Sequence, residues 1–133
     1  MTHELRLLAL SALLAFVQIL LAAGTTTAQR PGGLGWAAGP RDTPQPPPRG
    51  TAARLTRARD NMLETFPIFA AAILAAHLAG ANGALTGWGA MIYFWGRVLY
   101  VPAYLSEVPF LRTAVWAASI VGMLMVLAAV LFG

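Results

Sequence analysis

Four apolar stretches constrain this chain more than any other feature, because each is close to the roughly 20 residues a helix needs to cross a bilayer. They run over about 5–23, 57–79, 84–104 and 112–132. Backbone N–H and C=O groups cannot be left bare in hydrocarbon, so helices are the expected solution. Composition agrees. Of the 133 residues, 58% are hydrophobic and 11% are charged, against about 25% charged in an ordinary soluble domain. The expectation is one all-α membrane domain, built as a bundle of four transmembrane helices.

The connections are unequal. Residues 24–55 hold six of the nine prolines, Pro46-Pro47-Pro48 among them, and six of the thirteen glycines. That composition predicts a mobile or extended loop. Gly80-Ala81-Asn82-Gly83 reads as a helix stop and turn, and 107–112, with Pro109, as a second tight turn. Short turns make neighbouring helices antiparallel.

Charge then orients the bundle. Every basic residue is arginine. Arg30, Arg41, Arg49, Arg54, Arg57 and Arg59 lie in or beside the long loop, and Arg112 lies at the last turn. Four passes put these two connections on the same side. The positive-inside rule makes that side cytoplasmic and both termini external, as in a multi-pass protein of a bacterial inner membrane. The net charge of +4 therefore reads as topology rather than as a nucleic-acid surface. Thr26-Thr27-Ala28 resembles a signal-peptidase site, but the preceding apolar run is longer than a signal core and its start carries almost no net positive charge. A retained first helix is expected.

Several chemistries are excluded. There is no cysteine, and the only histidines are His3 and His77. No thiolate nucleophile, cysteine or histidine metal site, or histidine triad can be assembled. No metal is expected.

What stands out against the apolar background is polar. Arg57, Asn61 and Glu64 are spaced i, i+4, i+7 and share one face of the second segment. Arg97, Tyr100 and Tyr104, spaced i, i+3, i+7, do the same on the third. The second segment enters the bilayer from the long-loop side and the third leaves to that side, so the two faces meet at similar depth. Arg112 starts the fourth segment at that level. Arginine offers a planar fork for carboxylates, Glu64 suits an ammonium group, Asn61 donates and accepts, and the tyrosines add hydroxyls on apolar bodies. The set suits a small zwitterionic or anionic molecule. It equally suits a packing network, with Arg57 or Arg97 paired to Glu64 and the tyrosines in an interfacial belt. Arg59 and Asp60 point elsewhere on the helix, and Trp116 reads as a packing or belt residue.

The order R-A-x-x-N-x-x-E-x-F-P-x-F over 57–69, followed by R-x-x-Y-x-x-x-Y over 97–104, resembles the MAPEG family of membrane-associated proteins in eicosanoid and glutathione metabolism. The likeness covers about 54–131, and Pro109–Trp116 is similar to the bacterial branch. The resemblance implies a four-helix protomer assembled as a homotrimer, with glutathione as cosubstrate held between protomers near the cytoplasmic face. By the same resemblance Arg57, Asn61 and Glu64 hold the glutathione backbone and its charged ends, and Arg97, Tyr100 and Tyr104 complete the pocket. Arg112 sits near the thiol and favours the thiolate, which attacks a lipophilic small molecule arriving from membrane lipid or reduces a lipid hydroperoxide. Thr65 stands where the eukaryotic leukotriene-forming synthases carry tyrosine, and Arg112 aligns only with a one-residue shift. Some members of the family bind lipid without transferase activity, so a non-enzymatic lipid- or partner-binding protein is the alternative. A small transporter subunit is a third reading, without supporting repeats.

Overall fold

The structure, a computed structural model, describes residues 1–133. It is all-helical: α1 (His3–Gln29), α2 (Gly33–Ala38), α3 (Gly50–Leu78), α4 (Ala84–Ser106) and α5 (Leu111–Phe132). By length and composition α1, α3 and α5 can cross a membrane. The chain is accordingly an integral membrane protein. α4 is equally helical over 23 residues and carries Arg97 in its second half.

The long helices begin and end for local reasons. The Thr2 hydroxyl caps α1 by accepting from the Leu5 N–H at 3.1 Å. Gly80 takes a positive φ of 68° just after α3, a backbone position glycine adopts without steric cost. α3 continues through Pro67 and α4 through Pro102.

Two pairings dominate the packing: α1 on α3, and α4 on α5. α4 and α5 approach almost backbone to backbone. A β-carbon added at Gly89 would stand 2.7 Å from the Gly122 carbonyl oxygen, and one added at Gly96 would stand 2.9 Å from Ser119 Cβ. Small residues permit such approach between helices in lipid, where no hydrophobic effect drives them together. The buried core joins Leu7 and Ala15 of α1, Met62, Phe69 and Ile73 of α3, Tyr93 of α4, and Met123 and Val126 of α5. Phe69 and Tyr93 stack with ring centroids 3.9 Å apart. The Tyr93 hydroxyl lies 3.0 Å from that of Thr65, so this polar pair is satisfied inside the bundle.

The proline-rich connection departs from the expected open loop over 24–55. α1 extends to Gln29, α3 starts at Gly50, and α2 forms between them. Alanine, threonine, arginine and leucine over 22–28 and 52–57 are compatible with helix, and the hydroxyl of Thr25 is absorbed by donating to the Leu21 carbonyl at 2.7 Å. Besides the short turn at 30–32, the stretch 39–49, which carries Pro40, Pro44 and Pro46–Pro48 where backbone donors are missing, stays outside helices. It is tied down by side chains. The Gln29 amide donates to the Arg49 carbonyl at 2.8 Å and accepts the Arg49 N–H at 3.0 Å.

Candidate functional site

α3 and α4 run antiparallel, and their polar faces meet where α3 begins and α4 ends. The contact is direct: Arg57 Nε donates to the Tyr104 hydroxyl at 2.8 Å. An ion pair between Arg54 and Glu107 ties the first turns of α3 to the α4–α5 turn beside it. That turn delivers Arg112 on the first turn of α5, with its guanidinium 4.6 Å from the Tyr104 ring centroid. Tyr104 thus stands between two cations, since the Arg57 guanidinium is 5.6 Å from the same centroid. Tyr100 and Tyr104 meet edge to face at 5.7 Å.

Around these groups lies a cavity of about 410 Å³ lined by Arg57, Asp60, Asn61, Glu64, Tyr100, Tyr104, Arg112, Thr113 and Trp116. Six of the seven site residues expected from sequence are brought together here. The seventh, Arg97, is not on the cavity wall. Its residue exposure is 0%, and the guanidinium lies 4.3 Å from the centroid of the Tyr100 ring. The spacing placed it on the face of Tyr100 and Tyr104. In the bundle its side chain lies behind Tyr100, because α4 is covered at that level by its neighbours. None of its guanidinium nitrogens has a hydrogen-bond partner in the protein.

Sequence reasoning missed Asp60, Thr113 and Trp116. Asp60 was expected to point away. It precedes Asn61 by one residue, and it faces the cavity while accepting from Arg59 at 2.7 Å. Thr113 and Trp116 lie at i+1 and i+4 from Arg112 on α5, a spacing that could have flagged them as its companions. Thr65 is buried against Tyr93 and does not line the cavity.

The packing-network reading predicted an Arg57–Glu64 or an Arg97–Glu64 pair. Neither forms. The two ion pairs in the molecule are Arg54–Glu107 and Arg59–Asp60, and Glu64 is exposed on the surface of the chain. Asn61 Oδ1 is buried without a partner. Two cations, two carboxylates, an amide and three hydroxyls therefore face one open volume. That set can hold a small molecule with both carboxylate and ammonium groups.

The model of the MAPEG family matches residues 7–132, nearly the whole chain. The chain belongs to the MAPEG family. A search of curated proteins found no match. Family membership and the apolar helices together make this an integral membrane protein of a family concerned with glutathione and eicosanoid metabolism. Within the MAPEG domain the motif residues 57–69 and 97–104 supply the α3 and α4 walls of the cavity, and α5 supplies the third.

Proposed function

We propose that this MAPEG protein is a membrane thiol transferase or peroxidase that binds glutathione in the Arg57–Arg112 cavity and delivers its thiolate to a lipophilic substrate. The observation that carries this reading is the charge arrangement of the cavity. Arg57 and Arg112 face it with Glu64 and Asp60, and neither Arg57, Arg112 nor Glu64 is consumed by an internal ion pair. A tripeptide carrying two carboxylates and an ammonium group satisfies such a lining. Arg57 takes a carboxylate, Glu64 the ammonium, and Asn61 a peptide group through its unpartnered Oδ1. Tyr100 and Tyr104 contribute hydroxyls.

Arg112 is the residue placed to act on sulfur. A guanidinium beside a thiol favours loss of its proton, and the proton leaves to water at the bundle end. In conjugation, the carbon–sulfur bond forms as the leaving group departs with its electron pair. The nucleophile belongs to the cosubstrate, consistent with a chain that has no cysteine.

We also propose that four membrane-spanning helices form each protomer and that protomers assemble as a homotrimer, as the family resemblance implies; the exposure of Glu64 beside the cavity supports a neighbouring copy there. An exposed carboxylate within a spanning helix costs about 2.5–3.5 kcal/mol near mid-bilayer. A neighbouring protomer closing over the cavity removes that exposure. The arginines of the 30–59 region and Arg112 then orient the loop end toward the cytoplasm by the positive-inside rule.

The test is glutathione binding and conjugation of an aryl halide by the detergent-purified protein. Arg57→Ala and Glu64→Ala each remove a charge-assisted hydrogen bond of about 1.5–3 kcal/mol, so each should raise Kd by roughly ten- to hundredfold. Wild-type affinity in both variants would remove the site assignment. Absence of binding at millimolar glutathione would leave the non-enzymatic reading in its place.

A further inference from the structure

A second cluster of arginines lies outside the proposed thiol cavity, where α1 ends and α3 begins. A volume of about 290 Å³ is lined there by Ala22, Ala23, Thr26, Thr27, Arg30, Ala37, Arg41, Pro48, Thr56 and Arg59. Three of these are arginines and none is acidic. Arg30 and Arg41 both lie against the Trp36 ring, with guanidinium carbons 4.9 and 5.8 Å from its centroid. Trp36 is itself fixed, its indole N–H donating to the Thr43 carbonyl at 3.1 Å. Arg41 Nε donates to the Ala37 carbonyl at 2.8 Å. Arg30 Nε is buried and has no partner.

Two like charges held beside one ring repel, and an N–H donor is left unmatched next to them. Arg59 adds a third cation, offset by its pair with Asp60 on the side of the thiol cavity. Asp42, next to Arg41 in sequence, is absent from this lining. An anion with several acceptor oxygens would relieve both strains.

The position within the bundle identifies the anion further. α1 has 27 residues, or about 40 Å at roughly 1.5 Å per residue, and exceeds the roughly 30 Å hydrocarbon layer. Its last turns therefore stand at headgroup level. The lining is graded to match: Ala22 and Ala23 on the side of the hydrocarbon, then Thr26, Thr27 and Thr56, then the arginines. We infer that the cavity between the end of α1, α2 and the start of α3 binds a phosphate group at the membrane surface, that of an anionic phospholipid, through Arg30, Arg41 and the neighbouring threonines. The proline-rich connection is then a headgroup clasp, built around Trp36.

The full-length protein in detergent is titrated separately with a short-chain phosphatidylglycerol, the matching phosphatidylcholine and inorganic phosphate. Binding is followed by native mass spectrometry and tryptophan fluorescence, and Trp36→Phe assigns the fluorescence change. Phosphatidylglycerol should bind in preference to phosphatidylcholine. Arg30→Gln/Arg41→Gln should lose on the order of tenfold in apparent affinity, from two interfacial charges, while Arg30→Lys/Arg41→Lys retains the preference for the anionic lipid. Saturation by inorganic phosphate at concentrations matching the lipid would keep the site but assign it to free phosphate. Equal binding of the two lipids, or no binding of either lipid or phosphate to the wild type, would overturn the proposal. That comparison needs no variant, so a misfolded glutamine variant does not block the test. Glutathione binding is expected to be unchanged by the Arg30 and Arg41 substitutions.

Discussion

Burying an arginine without an acceptor is expensive, and Arg97 is fully buried with no hydrogen-bond partner in the protein. What it does have is the Tyr100 ring at 4.3 Å. A cation–π contact is worth about 0.5–2 kcal/mol, less than the several kcal/mol of desolvation a buried ion bears. Arg97 is therefore poorly explained as a stabilising residue and better explained as support for a cavity-lining tyrosine. Arg97→Met, which keeps length and apolar stem, should leave the unfolding temperature in detergent unchanged or raised. The same variant should weaken glutathione binding by roughly two- to thirtyfold, the equivalent of losing that contact. A marked fall in unfolding temperature would make Arg97 structural, and unaltered binding would detach it from the site. The sequence could place Arg97 on the face of Tyr100 by its i, i+3 spacing. It could not show which of the two reaches the cavity, because that depends on how α5 and α3 cover α4.

At the scale of elements, the contact between α4 and α5 holds Arg112 over Tyr104, and it depends on glycine. A β-carbon at Gly122 would lie 2.6 Å from both the Gly89 carbonyl oxygen and the Tyr93 amide nitrogen. These are backbone atoms and cannot step aside as a flexible side chain would. Gly122→Ala should force the helices apart and cost about 1–3 kcal/mol, the usual penalty for overpacking. Gly24→Ala is the control. It lies inside α1 with nothing within 4 Å of an added β-carbon, so the substitution should be neutral or stabilise by about 0.4–1 kcal/mol through chain entropy. Thermal unfolding of both variants checks the contrast, and equal stability would show that the α4–α5 approach is slack. The four long helices were legible because apolar length and short Gly- or Pro-containing turns are local signals. The ends of α1 and α3 near the loop were not. There proline and glycine counts pointed to an open connection, whereas Gln29, Trp36 and Thr25 supply side-chain bonds that composition does not weigh.

At the scale of the whole molecule, the single chain leaves its polar site open. Arg57, Asp60, Glu64, Arg112 and Thr113 are all exposed on its surface, while the surrounding helices present Leu63, Ile68, Trp95, Leu99 and Trp116. A surface of that kind suits neither lipid nor water throughout. The convergence of α3, α4 and α5 on the site was readable from spacing and topology, since polar faces at matching depths in antiparallel helices must meet. Its openness was not, because residue spacing within one chain carries no information about what covers the chain. A second copy of the chain laid over the cavity would resolve the mismatch by giving Glu64 and Arg57 a polar neighbour or a shared ligand, and by burying the apolar rim. Native mass spectrometry and cross-linking of the purified protein should therefore report an oligomer, and a homotrimer if it assembles as the family resemblance implies. Glutathione should raise the unfolding temperature of that oligomer, as a ligand binding only the assembled state must. If a detergent-stable monomer bound glutathione with the affinity of the oligomer, the cavity would be complete within one chain. The exposure of Glu64 would then need a different explanation, with the side chain at headgroup level and solvated.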